Sequence, residues 1–118
     1  MNREIMTALI SYVRSKYKNQ INTEAMELRR SALFYAGQKR PVSCDKPLLR
    51  RDLPQRRLDD PLQESAMHIL AAQQALRWLR RDIKRGGLRR RTARALIANQ
   101  LRHDLKAYSG LRAAKLRL

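Results

Sequence analysis

Residues 60–87 read DPLQESAMHILAAQQALRWLRRDIKRGG, and this stretch decides the fold. Its start is marked three times over. Asp60 is an N-cap residue, Pro61 occupies the first helical position, and Gln63 stands where a capping box places it. Leu62, Ala66, Ile69, Leu76, Leu79 and Ile83 then recur at helical spacing. Four of them, Leu62, Ile69, Leu76 and Ile83, fall seven apart, so a straight apolar seam runs along the helix. Gly86-Gly87 ends it. At the α-helical rise, about 25 residues reach nearly ~40 Å.

Downstream, the spacing predicts a second long helix over 88–108. Its stripe is Ala93, Leu96, Ile97, Leu101, Leu105 and Tyr108, and Gly110 is its expected stop. Residues 111–118 alternate Leu with Arg and Lys, as an amphipathic tail would. The two long helices are expected to pair as a hairpin across Gly86-Gly87. Their apolar faces could also pair with a second copy, so a homodimer stays open.

Upstream, two short helices are expected. The first, over 3–17, has Asn2 as N-cap and a stripe of Ile5, Met6, Leu9, Ile10, Val13 and Tyr17. Lys18-Asn19-Gln20 reads as a turn. The second, over 23–36, has Asn22 as its cap and Ile21 and Met26 as a hydrophobic staple. Glu24 and Glu27 suit its positive end, and Gly37 is the expected left-handed stop. A tight turn between short helices suggests an antiparallel hairpin.

Residues 38–60 differ in kind. Pro41, Pro47 and Pro54 forbid a continuous helix, and Pro47, Pro54 and Pro61 are spaced by seven. Residues 38–58 carry seven basic and two acidic side chains. Either Leu48, Leu49, Leu53 and Leu58 pin this strap to the helices, or they meet a partner on which the arm orders.

Composition agrees with helices. The 118 residues include 18 Leu and 14 Ala, against two Val, three Thr and six Ile. Strands favour β-branched and aromatic residues, and aromatics are 5%. The expected fold is all-α: a short N-terminal helical hairpin (1–37), a Pro/Arg-rich extended arm (38–60) and a long basic hairpin with a short tail (61–118), in one compact domain. The single cysteine, Cys44, allows no internal disulfide and no thiolate zinc site. No apolar stretch approaches the ~18 residues of a membrane span, and no secretory h-region follows the first residues. The expected place is the cytoplasm, in association with the nucleoid or a ribonucleoprotein.

Charge is the main functional signal. Lys and Arg number 27 against 10 Asp and Glu, a net +17, and 20 of the 27 are Arg. Nine basic residues lie between positions 77 and 94: Arg77, Arg80, Arg81, Lys84, Arg85, Arg89, Arg90, Arg91 and Arg94, opposed only by Asp82. Like charges at this density repel one another unless an anion arrives. Arg presents a planar fork of donors that matches phosphate. The expected ligand is therefore nucleic-acid backbone, with Arg50, Arg51, Arg56 and Arg57 of the arm as a second contact. An acidic protein surface is the competing partner, and a membrane surface a weaker one. Trp78, the sole aromatic inside the cluster, is either a hairpin packer or a stacking residue. Single-strand platforms need several aromatics, so duplex DNA or structured RNA is favoured.

Catalysis needs a constellation, and the sequence offers none. His68 reads as a core-edge residue, and His103 and Asp104 are helical neighbours that point apart. Asp59, Asp60 and Glu64 could hold Mg²⁺, but helix capping explains them better. No glycine-rich phosphate loop is present, so no cofactor and no metal is expected. The function expected is a small, non-catalytic nucleic-acid-binding protein. The alternative is an adaptor or inhibitor that docks on a nucleic-acid-processing enzyme or a ribonucleoprotein, a phage-encoded or ribosomal accessory protein being an example.

Overall fold

The structure is a computed structural model. It describes residues 3–38, 58, 60–83 and 88–116, with backbone alone for 3–6, 82–83 and 115–116. All elements among the described residues are helices: α1 (Arg3–Lys16), α2 (Lys18–Ala36), α3 (Pro61–Ile83) and α4 (Leu88–Leu116). The expected all-α fold is what is found. No described helix is long and apolar enough to cross a membrane.

The helix starting at Pro61 begins where its sequence signals put it. The Leu62 N–H donates to Asp60 Oδ1 at 2.9 Å, and the Glu64 N–H donates to the Asp60 carbonyl at 3.0 Å. Gln63 does not complete the capping box. Its Oε1 accepts the Tyr17 hydroxyl at 3.3 Å instead, tying the first turn of α3 to the α1–α2 joint.

Helix α3 is the centre of the molecule and packs on α1, α2 and α4. Its middle is buried all round, with Ser65, Ala66, Met67, Ile69, Leu70, Ala71 and Ala72 in succession around His68. A helix buried on every side needs small residues where its neighbours' backbones come close. Ala66, Ala71, Ala72 and Ala75, all fully buried, supply them. Leu62 and Ile69 of the seven-residue seam lie in the same core, with Leu76 packed at its edge. These three described seam residues pack within the chain. The core continues into Val13, Ile21, Ala25, Leu28 and Ala32 and, from α4, Ala93, Leu96, Ile97 and Tyr108. Burial pushes the Tyr108 phenol above its ordinary pKa, because the ionised form would lose its hydration.

Three expectations about the helices need correction. First, Lys18-Asn19-Gln20 is the opening turn of α2, not a loop. The Tyr17 N–H donates to Val13 O at 2.9 Å and the Ile21 N–H to Tyr17 O at 2.9 Å, so the hydrogen-bond ladder runs through the joint. Tyr17 itself, at φ −112° and ψ 27°, bends the path. With no Gly or Pro there, nothing stops propagation. Asn22 accordingly caps nothing, Thr23 Oγ1 donates back to Asn19 O at 2.9 Å, and Met26 is exposed rather than stapled to Ile21.

Second, Gly37 ends α2 in a right-handed conformation, φ −86° and ψ −5°, not a left-handed one. Its N–H reaches Leu33 O and Phe34 O at 3.2 and 3.1 Å. A Cβ there would meet the Arg89 guanidinium at 3.1–3.2 Å, so close approach, not backbone freedom, is what this glycine permits.

Third, Gly110 does not stop α4, which runs on to Leu116. The buried line of α4 also differs from its leucine stripe: Gln100 and Asp104 are buried, and Leu105 is exposed. Positions 93, 97, 100, 104 and 108 advance by four, three, four and four, which keeps one face inward at 100° per residue. Gln100 Nε2 donates to Asp104 Oδ1 at 3.1 Å, while Gln100 Oε1 is the sole buried side-chain polar atom without a partner among the described residues.

Candidate nucleic-acid interface

Helical geometry spreads the basic cluster over more than one surface. Successive positions turn by 100°, so Arg77, Arg80 and Arg81 of α3, all exposed, face three different neighbours. Arg80 meets α4. With Leu76, Arg91, Arg94, Ala95 and Ala98 it lines a groove of about 230 Å³ between the two long helices. This is the convergence expected of the long hairpin, with one arginine from α3 and two from α4. No carboxylate lines it among the described residues.

Arg81 turns to another side. It lines a shallower groove of about 320 Å³ with Met26, Arg29 and Trp78, between α2 and α3. Trp78 packs partly against the core from here, on the α2 side of α3 rather than inside the long hairpin. Arg77 goes to a third cleft, formed with Arg14 and Lys18 at the α1–α2 joint. Its Nη1 donates to Gln74 Oε1 at 3.4 Å on its own helix.

Arg89 has a different occupation. Its Nε donates to Leu33 O at 2.8 Å. That carbonyl belongs to the last turn of α2, where unpaired carbonyls concentrate partial negative charge. Arg89 therefore closes α2 from α4. Arg90 is half-buried and engaged in a contact of its own. Lys84 and Arg85, the Gly86-Gly87 bend, and Arg50, Arg51, Arg56 and Arg57 of the arm lie outside the described residues, as do Leu48, Leu49, Leu53, Cys44 and Asp59. Leu58 is described, and it packs half-buried against the core.

Other charged groups settle into structural roles. His68 Nδ1 lies 2.8 and 3.0 Å from the two Glu24 oxygens, and Nε2 lies 3.6 Å from Glu64 Oε1. The pair joins α2 to α3. Glu64 at i−4 was visible beside His68, but Glu24, 44 residues away, carried no local signal. Lys16 Nζ donates to Tyr12 Oη at 3.0 Å and stands 5.4 and 5.3 Å from the Tyr12 and Tyr17 ring centroids. The Tyr12 hydrogen bond first, then Tyr17, raises its pKa above the lysine value. Asp60, read as a cap, is one. No group of three His, Cys, Asp or Glu side chains is placed to hold a metal among the described residues.

The contributions of Arg14, Lys18 and Arg29 to the basic grooves had no signal in the sequence. Lys18 reads as a turn residue, and Arg14 and Arg29 fall on the two short helices, far in sequence from the basic cluster. Only the packing of α1 and α2 on α3 puts them beside Arg77 and Arg81. No family model matches this sequence, and no curated protein or solved structure is significantly similar to it, so the surface is read from its own geometry.

Proposed function

We propose that this chain is a small, non-catalytic protein that holds the phosphate backbone of duplex DNA or structured RNA in the α3–α4 groove. The observation that carries the reading is the meeting of Arg80, Arg91 and Arg94 in one groove, with no carboxylate among the described residues that line it. Three guanidinium groups so placed repel one another, and a phosphate between them removes that repulsion while accepting charge-assisted hydrogen bonds. A net charge of +17 adds long-range attraction to any polyanion. Arg89, occupied at the end of α2, is not part of the contact surface in this reading.

The test is fluorescence anisotropy against duplex DNA, single-stranded DNA and hairpin RNA, each over a salt series, for the native chain and for the triple variant Arg80→Gln, Arg91→Gln, Arg94→Gln. Removing one phosphate-bound cation lowers the slope of log affinity against log salt by about 0.9 on duplex DNA, so by about 2.7 for three. Between 50 and 200 mM salt that is a difference of about 40-fold. An unchanged slope in the variant overturns the groove.

A second reading rests on the exposed side of α2. Met26 and Phe34 are 55% and 59% exposed, and Met26 shares its groove with Arg29 and Arg81. Apolar surface flanked by arginines suits an acidic protein partner, as the adaptor alternative requires. In that case Met26→Ala costs binding to the partner, and the triple arginine variant does not.

A further inference from the structure

The cleft at the α1–α2 joint is the largest of the three described here, about 410 Å³, which is in the range of small-ligand pockets. The bent α1–α2 path forms one wall and α3 the other. Arg14, Lys18 and Arg77 bring three cations from three helices, and no carboxylate lines the cleft among the described residues. The remaining polar lining is neutral: the Ser11 and Ser15 hydroxyls on α1, and the Asn22, Gln73 and Gln74 amides on α2 and α3. The floor is Ile21 and Leu70, each only 6% exposed.

We propose that this cleft binds a compact polyphosphate, the di- or triphosphate group of a nucleotide or its inorganic equivalent. Three features choose that chemistry. Three cations with no carboxylate among the described lining call for a multiply charged anion. Hydroxyl and amide donors between them match an anion with many acceptor oxygens rather than a single carboxylate. A cleft of about 410 Å³ has the size of a short ligand. The two aliphatic side chains of the floor, Ile21 and Leu70, are too deeply buried to stack a base. Recognition therefore rests on the phosphates, and inorganic triphosphate should bind within about threefold of ATP, a difference under about 1 kcal/mol. The site is independent of the α3–α4 groove and needs no residue from it.

The experiment is isothermal titration calorimetry of the full chain at physiological salt, with inorganic triphosphate and with ATP. The native chain should take up one equivalent of either. Arg14→Ala and Arg77→Ala should each weaken it by about tenfold or more, as loss of a charge-assisted hydrogen bond implies. Gln73→Glu, which removes no cation but puts a carboxylate in the cleft, should do the same. Arg102→Ala is the charge-matched control, since Arg102 is exposed and lines none of the three grooves. Circular dichroism confirms that each variant stays helical. Absence of binding, uptake of several equivalents, or an equal loss in Arg102→Ala overturns the site, because each means that charge alone is being read. Duplex affinity of Arg14→Ala and Arg77→Ala should match Arg102→Ala. A larger fall would make the cleft part of a polymer's path and overturn the compact ligand.

Discussion

The contact between Arg89 and Gly37 makes a prediction whose sign depends on a single distance. Arg89 Nε holds the Leu33 carbonyl at 2.8 Å, and its guanidinium lies 3.1–3.2 Å from where a Gly37 Cβ would stand. Gly37 has right-handed φ and ψ, so alanine fits its backbone without strain. In the absence of Arg89, Gly37→Ala should stabilise the chain by about 0.5–1 kcal/mol, by reducing the freedom of the unfolded state. With Arg89 present, the added methyl displaces the guanidinium by a few tenths of an ångström and lengthens its bond to Leu33 O. A hydrogen bond from a charged donor contributes about 1.5–3 kcal/mol. Arg89 is exposed, so about 1 kcal/mol is the fitting figure for Arg89→Ala. Gly37→Ala in the native background then comes out near zero. Urea unfolding of the two single variants and the double variant closes the cycle, with an expected coupling of about 0.5–1 kcal/mol. Gly37→Ala stabilising both backgrounds equally would refute the seat of Arg89 over Gly37. Duplex affinity should fall no further in Arg89→Ala than in the charge-matched Arg102→Ala, because the guanidinium is engaged inside the chain.

Gly110 lies inside α4 with open space around it. Gly110→Ala should stabilise the chain by about 1 kcal/mol, a rise in thermal midpoint of roughly 4 °C, and no rise would mean that α4 ends earlier. Asp60→Ala should cost about 1 kcal/mol in urea unfolding, and Asp60→Asn much less, since the bond to the Leu62 N–H needs a side-chain oxygen rather than a charge. The Tyr108 phenol, raised by burial, binds its proton more tightly folded than unfolded. Its contribution is therefore fully present below the unfolded tyrosine pKa, about 10, and is lost as pH rises through the higher folded value. Tyr108→Phe should show a shallower loss of stability above about pH 10 than the native chain, and identical alkaline limbs would contradict the burial.

What was legible in the sequence was local. The start of α3 could be read because Asp60 and Pro61 act within one turn of themselves. The composition spoke for helices because Leu and Ala favour them whatever they pack against. The misreadings fall where a distant partner outweighs a local signal. Gly110 costs its helix about 1 kcal/mol, yet Tyr108, buried just before it, keeps the backbone in place. The leucine stripe of α4 was a fair template, but α4 turns Gln100 and Asp104 inward, where one holds the other. Asn22 was a good cap in sequence and idle in structure, because nothing broke the helix before it. The basic cluster is the sharpest case. Arg77, Arg80 and Arg81 are four positions apart at most, and three different helices decide which groove each one lines.

That partition changes what the net charge means. A count of nine cations between positions 77 and 94 treats them as one reservoir. If all nine met phosphate, the salt slope on duplex DNA would be about 8. The structure places Arg89 at the end of α2, Arg77 in the joint cleft, Arg81 in the Met26 groove and Arg80, Arg91 and Arg94 in the α3–α4 groove, while Arg90 is half-buried in a contact of its own and Lys84 and Arg85 lie outside the described residues. A slope near ~3 follows from that groove alone. The two values are far enough apart for one salt series to separate them. A slope near ~8 would mean that nucleic acid wraps more than one face of the bundle. Since Arg77, Arg80 and Arg81 line three separate grooves around α3, that would require a strongly bent duplex or a folded RNA, and a straight duplex of the same length should then bind measurably less well than a bent one.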